Sequence, residues 1–300
     1  MLREVKTLQI DREVFVQTLE KKLADLPPLP AVVTRIMQTV NDPNTSAEDL
    51  NRLISLDQGL SSRILRIVNS AYYGFPKRIS TITHAVVILG FNTVRNLVLG
   101  VSAFGMLSGK SAAGGLNRRV FWEHSVSVAV AASVLARRKR PRGRAAVEEA
   151  FLGGLLHDIG KLFLDCYFPV QYAVTLAYAA HQSAAPLEAE RKVLAFDHPS
   201  VGRRIADHWN FPPALVAAIN SHHAPVPGAD HFETAAFIHA ADWVAWQFGT
   251  PSAEKCGEVE LVPAVREWLA LEDEELASVL GELAQQIDGA REMLRLDRAA

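Results

Sequence analysis

The sequence of 300 residues has little of what marks secreted or nucleic-acid-binding proteins. Two cysteines, Cys166 and Cys256, are too few for a disulfide framework, which predicts a reducing, cytoplasmic setting. The formal net charge is only -2, so no overall field attracts nucleic acid, and we expect no nucleic-acid partner. The N-terminal stretch MLREVKTLQIDREVF is charged and lacks an apolar segment, which predicts no signal peptide.

Long apolar runs are also scarce. The longest, residues 85–107, is interrupted in its middle by Asn92, Arg95 and Asn96. A charge at the centre of a bilayer is costly. We therefore interpret this run as a buried core helix and expect no membrane association.

Strand signals are almost absent, because apolar residues recur at helical spacing nearly everywhere and strict alternation is rare. Hydrophobic residues make up 49% of the chain, enough for a sizeable core. The pattern predicts an all-α fold, a multi-helix bundle. Among the predicted helices are residues 79–107, 145–160, 167–181 and 273–294.

Composition suggests two helical subdomains. The stretch SGKSAAGGLN is small and rich in Gly and Ser, as flexible connections are. The predicted units are an N-terminal subdomain 1–107, a linker 108–116, a second subdomain 117–254 and a C-terminal helical extension 255–300. A basic stretch, RRKRPRGR at 137–144, is either an anion site or a positively charged helix end running into a solvated turn, and we favour the second interpretation.

The second subdomain contains short stretches with the chemistry of a metal centre. They are FWEHS, LLHDIGK, FDHPS, NSHHAP and HAADW, and they supply His124, His157, Asp158, His198, His222, His223 and Asp242. Imidazoles mixed with carboxylates suit transition metals better than magnesium or calcium. We expect one or two divalent ions, iron or manganese in preference to zinc or nickel.

His157 and Asp158 are adjacent, so both can reach one site only from the side or end of a helix. Asp158 is then a candidate to bridge two ions. Gly160 fits a helix end, and Lys161 would project beside the site to hold an anionic substrate oxygen. Asp158 and Lys161 are the catalytic candidates.

The other histidines are given ordinary roles. His84, His181, His208 and His231 are interpreted as core or surface residues. His239 precedes Asp242 by three residues on the same helical face, and outer support of the site is the less favoured of its two interpretations.

The order of these residues, together with the N-terminal half of the chain, resembles a known protein family. The order His124, His157-Asp158, Asp242 is similar to the metal signature of the HD superfamily of metal-dependent phosphohydrolases. The further His198, His222 and His223, with Lys161, resemble the binuclear HD-GYP branch. Residues 26–99, and above all NSAYYGFPKRISTITHAVVILG, resemble the N-terminal helical part of HDOD proteins, the HD-related output domain of bacteria. The Gly-Tyr-Pro signature is absent after the His-His pair, where the chain reads APVPGADHFET.

The resemblance implies two functions of different classes. The favoured one is a regulatory signal-transduction protein with a retained, binuclear metal centre. It would act on protein partners through a loop with Tyr72, Tyr73, Phe75, Lys77 and Arg78, although ordinary loop packing explains these residues equally well. The alternative is an active metal-dependent phosphohydrolase, acting on a phosphodiester or nucleotide, with Lys161 steadying the developing charge. A phosphate or nucleotide is the candidate ligand in both cases.

Overall fold

A computed structural model describes residues 12–39, 45–69, 73, 75–108, 115–140, 143–247, 249, 260–270, 278–279 and 281–282. Within these ranges the chain forms helices and no strand, which confirms the all-α prediction. The helices are α1 Arg12–Ala24, α2 Ala31–Thr39, α3 Ala47–Ile54, α4 Gln58–Val68, α5 Ile82–Leu89, α6 Phe91–Ser108, α7 Arg118–Lys139, α8 Arg144–Leu156, α9 Ile159–Tyr167, α10 Pro169–Gln182, α11 Pro186–Val193, α12 His198–His208, α13 Pro213–Ser221, α14 Phe232–Gln247 and α15 Pro263–Leu269.

The helices α3, α4 and α5 begin at clear capping residues. Ser46 and Asp49 form a reciprocal capping box at α3, and Asp57 and Thr81 cap α4 and α5 through their side chains. The prediction of a single helix over residues 79–107 is wrong, because this range forms two helices. The chain breaks at Gly90, whose φ of 88° is readily adopted only by glycine, and this break separates α5 from α6.

Asn69 ties the end of α4 to the loop that follows. Its side-chain amide donates to the carbonyls of Leu65 and Ile79, both at 2.7 Å, and its oxygen accepts from the Ile79 amide at 2.7 Å. In that loop the rings of Tyr73 and Phe75 stack, with centroids 6.0 Å apart. Tyr72 lies outside the described residues.

The second half is built around α7, α8 and α14. The middle of α7, residues 125–136, is completely buried between the other two helices. α8 ends at Leu156, and a new helix, α9, begins at Ile159. The predicted helix 145–160 therefore ends four residues early, and Gly160 lies in the first turn of α9 instead of at a helix end.

The two halves share one hydrophobic core. α6 packs on α8 and α9, and α1 packs on α12. The Phe15 and Phe168 rings lie 4.8 Å apart, and the Trp209 indole donates to the Pro27 carbonyl at 3.0 Å. The subdomain boundaries at 107 and 117 stay a prediction.

The described helices include none with the length and apolar character of a membrane span. The apolar run at 85–107 instead lies in the core, where Val94, Val98 and Leu99 have no exposed surface. The predicted helix 273–294 lies almost wholly outside the described residues.

Candidate metal centre

The seven predicted ligands come from separate places in the chain and meet in one buried cluster. His124 lies on α7, and Asp242 lies on α14. The other five stand at helix ends: His157 and Asp158 between α8 and α9, His198 at the start of α12, and His222 and His223 after α13. A residue at a helix end is free of the 100° spacing of the helix interior, so two neighbours can face one site.

The first group contains His124, His157 and Asp158. His124 Nε2 lies 3.2 Å from His157 Nε2 and 3.6 Å from Asp158 Oδ2. Asp242 joins this group, with its Oδ1 3.3 Å from His124 Nε2. The group therefore offers two imidazole nitrogens and one carboxylate to one point, with the Asp242 carboxylate beside His124.

The second group contains His198, His222 and His223. His198 Nε2 lies 3.3 Å from His222 Nε2 and 2.9 Å from His223 Nε2. The Asp158 Oδ1 atom lies 3.2 Å from the same His198 nitrogen and 3.8 Å from His222 Nε2. Asp158 therefore faces both groups, one oxygen to each.

The Asp158 side chain does not cap the helix that follows it. An aspartate at a helix start ordinarily caps the helix by accepting a backbone N–H bond, but the Asp158 side chain makes no such bond to α9. Its Oδ1 is buried and accepts no well-formed hydrogen bond. A buried carboxylate oxygen in that state is costly unless a cation compensates it.

The outer ring nitrogens fix how the histidines face the centre. His157 Nδ1 donates to the Gly154 carbonyl at 2.7 Å, and His222 Nδ1 donates to the Ile219 carbonyl at 2.9 Å. His198 Nδ1 donates to Glu190 Oε2 at 2.7 Å. Since these acceptors have no proton to give, each ring carries its proton on Nδ1 and turns the Nε2 lone pair inward.

Nε2 lone pairs that face one another repel, so a proton or a metal ion must lie between them. Burial lowers the pKa of His157 to about 3, and burial together with the neighbouring rings holds the pKa of His222 well below its usual value. Without a metal, a proton on His198 would have to serve: burial lowers the pKa of His198, but the carboxylates of Glu190 and Asp158 together outweigh burial and raise it. A cation in each group satisfies all these nitrogens at once. The donor set therefore fits a pair of divalent transition-metal ions.

Lys161 lies beside the site, as expected from the sequence, but at the start of a helix instead of past a helix end. It lies in the first turn of α9, is buried, and donates from Nζ to Asp158 Oδ2 at 2.7 Å. Burial alone would lower the pKa of Lys161, but the carboxylates of Asp158, Glu190 and Asp242 raise it. The same ion pair helps to keep the pKa of Asp158 well below its usual range, although burial opposes this.

Two supporting residues complete the cluster. Sequence reasoning missed Glu190 on α11, which is buried and accepts bonds from both the backbone amide and Nδ1 of His198, each at 2.7 Å. No sequence signal marks it, because one glutamate in a charged helix looks like a surface residue. His239, for which support of the site was the less favoured interpretation, also contributes: its Nδ1 lies 2.7 Å from the His222 carbonyl oxygen.

A family model describes most of this chain. The model of the HDOD domain matches residues 26–225, which is more than half of the sequence. The chain belongs to the HDOD domain family. The matched range of this family includes every residue of both histidine groups except Asp242.

Individual HDOD relatives are distant in sequence and similar in fold. An uncharacterized protein of Treponema pallidum (strain Nichols) is 26% identical over 229 residues, which cover 74% of this chain and 44% of that protein. The chain thus spans less than half the length of that relative. A provisionally named signal transduction protein from Marinobacter aquaeolei VT8 superposes with a TM-score of 0.75 at 24% identity, covering 93% of this chain and 61% of the other.

A third comparison is with a protein named for phosphate hydrolysis. A provisionally named phosphohydrolase from Shewanella amazonensis SB2B has a TM-score of 0.65 at 26% identity and covers 93% of this chain and 97% of its own. It shares the helical architecture that brings the histidine and aspartate side chains of this HDOD chain together.

Proposed function

We propose that this HDOD protein is a regulatory, signal-transducing protein whose second half holds a two-ion metal centre. One ion would be held by His124, His157 and Asp242, the other by His198, His222 and His223, with Asp158 shared. Iron or manganese fits this mixture of imidazole and carboxylate ligands, with zinc or nickel as alternatives.

The observation that carries this proposal is the position of Asp158. Its two oxygens face the two histidine groups separately, and the buried Oδ1 accepts no well-formed hydrogen bond. A single-ion site would leave the second group of three histidines unexplained. A purely structural polar cluster would not turn several nitrogen lone pairs toward each other.

Elemental analysis of the purified protein tests the proposal. We expect two transition-metal ions per chain, or uptake of two Mn²⁺ ions on titration of metal-free protein. Binding of one ion to the native state raises the free energy of unfolding by about 2.7 kcal/mol when the free metal concentration is a hundred times the dissociation constant. A folded wild-type protein that takes up no metal on titration would contradict the proposal.

A second candidate function, metal-dependent phosphohydrolysis, is favoured by Lys161. Its ammonium is buried beside the shared carboxylate, where two divalent ions would repel it unless a further anion lay between them. When bound, two divalent ions would supply Lewis acidity and a lowered pKa for water. The chain's own contribution would be Lys161, which holds an anionic phosphoryl oxygen through a charge-assisted hydrogen bond.

Replacement of Lys161 by methionine separates the ligand role from the metal role. In metal-saturated protein, we expect Lys161→Met to keep both ions but to bind inorganic phosphate roughly 10–100-fold more weakly, since a charge-assisted contact is worth about 1.5–3 kcal/mol. Calorimetric titration with phosphate at equal metal loading measures this. Lys22→Met, an exposed lysine on α1, is the control. Equal phosphate affinity in wild type and Lys161→Met would return Lys161 to a purely structural role.

The regulatory function requires a surface for protein partners. We propose the loop at 73–78, where the stacked Tyr73 and Phe75 rings adjoin the exposed Lys77 and Arg78. The Asn69 hydrogen bonds hold Ile79, the residue that follows this loop, against the end of α4.

A further inference from the structure

His239 connects the metal centre to the chain beyond it. The ring is buried in α14, one turn before Asp242. Its Nδ1 lies 2.7 Å from the His222 carbonyl oxygen, and its Nε2 lies 3.0 Å from the Val262 amide nitrogen. A carbonyl only accepts and an amide N–H only donates, so the ring is neutral, with its proton on Nδ1. Both ring nitrogens are therefore committed to backbone groups.

Val262 belongs to a segment, residues 260–270, that docks on α7 and α14. Val265 and Leu269 are buried, and the Trp268 ring packs edge-on against Phe232 and Phe237 at 5.5 and 5.0 Å. Lys139 donates to the Trp268 carbonyl at 2.5 Å and lies 5.3 Å from its ring centroid.

The basic stretch at 137–144 finds its partners within the chain. Arg138 donates to Ser278 at 3.0 Å and to Glu282 at 3.1 Å. Arg140 is paired with Glu233. These basic side chains, together with Lys139, therefore hold the described residues Trp268, Ser278 and Glu282, and the start of α14, against the end of α7.

We propose that His239 is a positioning residue that couples docking of the 260–270 segment to the half of the metal centre formed by His198, His222 and His223. The inference rests on the proposed two-ion function. His222 ends α13, and its ring is fixed by its bond to the Ile219 carbonyl. Its backbone is fixed by His239, which is itself held in one orientation by Val262. Outer partners that orient a metal ligand in this way affect affinity strongly.

The coupling is reciprocal. If docking of the 260–270 segment strengthens binding of the second ion, then that ion must strengthen docking by the same factor. Metal binding in the second group would then protect residues 260–282 against proteolysis. This readout needs no enzymatic activity.

Val262→Pro removes the link with little other change. Val262 already has a φ of -52°, which suits proline, and proline lacks the amide N–H that His239 accepts. Val262→Ala keeps the N–H and is the matched control. His239→Asn breaks the same link from the other side, because its shorter amide can still donate to His222 but cannot reach Val262. This variant decides the question if Val262→Pro fails to fold.

Co²⁺ titration of the metal-free full-length chain, followed by visible absorption and elemental analysis, provides the measurement. We expect Val262→Pro and His239→Asn each to bind one of the two ions about tenfold more weakly and the other unchanged. The double variant should show no further loss, because both changes break one link. His223→Ala marks which absorption change belongs to the second group. Metal-dependent protection of residues 260–282 should shrink in the same variants.

Three results would overturn the inference. If Val262→Pro binds Co²⁺ as Val262→Ala does, the coupling is absent while the two-ion centre stands. If it weakens both ions equally, or lowers only thermal stability, the contact is merely structural. If the wild type binds fewer than two Co²⁺ ions, the two-ion proposal itself fails, and the coupling fails with it.

Discussion

Asp158→Asn should abolish tight binding of both metal ions. The carboxylate faces both histidine groups, with Oδ2 3.6 Å from His124 Nε2 and Oδ1 3.2 Å from His198 Nε2. The amide keeps the shape but removes the charge shared by the two ions. Loss of an outer partner of a ligand costs roughly 10–100-fold in metal affinity, and we expect a shared ligand to exceed about 100-fold for each ion. Titration with Mn²⁺ and elemental analysis measure the change.

Asp165→Asn is the matched control. Asp165 lies on α9 and is buried, as Asp158 is, but it pairs with Arg118 at 2.8 Å and accepts a hydrogen bond from the Leu116 amide at 3.0 Å. Breaking a buried pair on one side costs about 3–5 kcal/mol, so both variants should lower stability in the absence of metal. Only Asp158→Asn should also lose stabilisation by added Mn²⁺. Normal uptake of both ions by Asp158→Asn would refute the bridging role.

The helices and the histidines of the centre could be predicted because their signals are local. Periodic apolar residues define α3 and α4, and imidazoles in short polar stretches stand out against an apolar background. The structure brings those residues into one cluster, as the sequence order and the family resemblance led us to expect. That they bind metal stays a prediction until the ions are measured.

The remaining features depend on packing that no local pattern reveals. Glu190 is charged like its neighbours on α11, and only its approach to His198 makes it part of the site. His239 required the fold to bring Val262 to its ring across 23 residues of sequence. Lys161 was expected beside the site just past a helix end, but the break at His157 and Asp158 starts a new helix that carries Lys161 in its first turn. The sequence suggested that Gly160 ends a helix, but in the structure Gly160 allows α9 to pack directly against the backbone of α12.

Gly160→Ala should displace α12 and damage the second histidine group. α9 and α12 touch backbone to backbone at this residue: a Cβ on Gly160 would overlap the His198 carbonyl oxygen, lie 2.8 Å from the His198 carbonyl carbon and lie 3.0 Å from the Gly202 nitrogen. These are backbone atoms of a packed helix, so no side chain can rotate away. Overpacking typically costs 1–3 kcal/mol, and we expect about 3 kcal/mol or more here.

The metal centre should report the same displacement, because the clash falls on His198 itself. We expect Gly160→Ala to lose the ion held by His198, His222 and His223 before it loses the other. Urea denaturation gives the loss of stability, and Co²⁺ titration gives the loss of metal. Gly105→Ala is the control: it lies on the exposed side of α6, a Cβ there meets no atom within 4 Å, and the change should stabilise the helix by about 0.5–1 kcal/mol. A Gly160→Ala protein with wild-type stability and two bound ions would show that α9 and α12 do not pack as closely as described, and that the position of His198 does not depend on this contact.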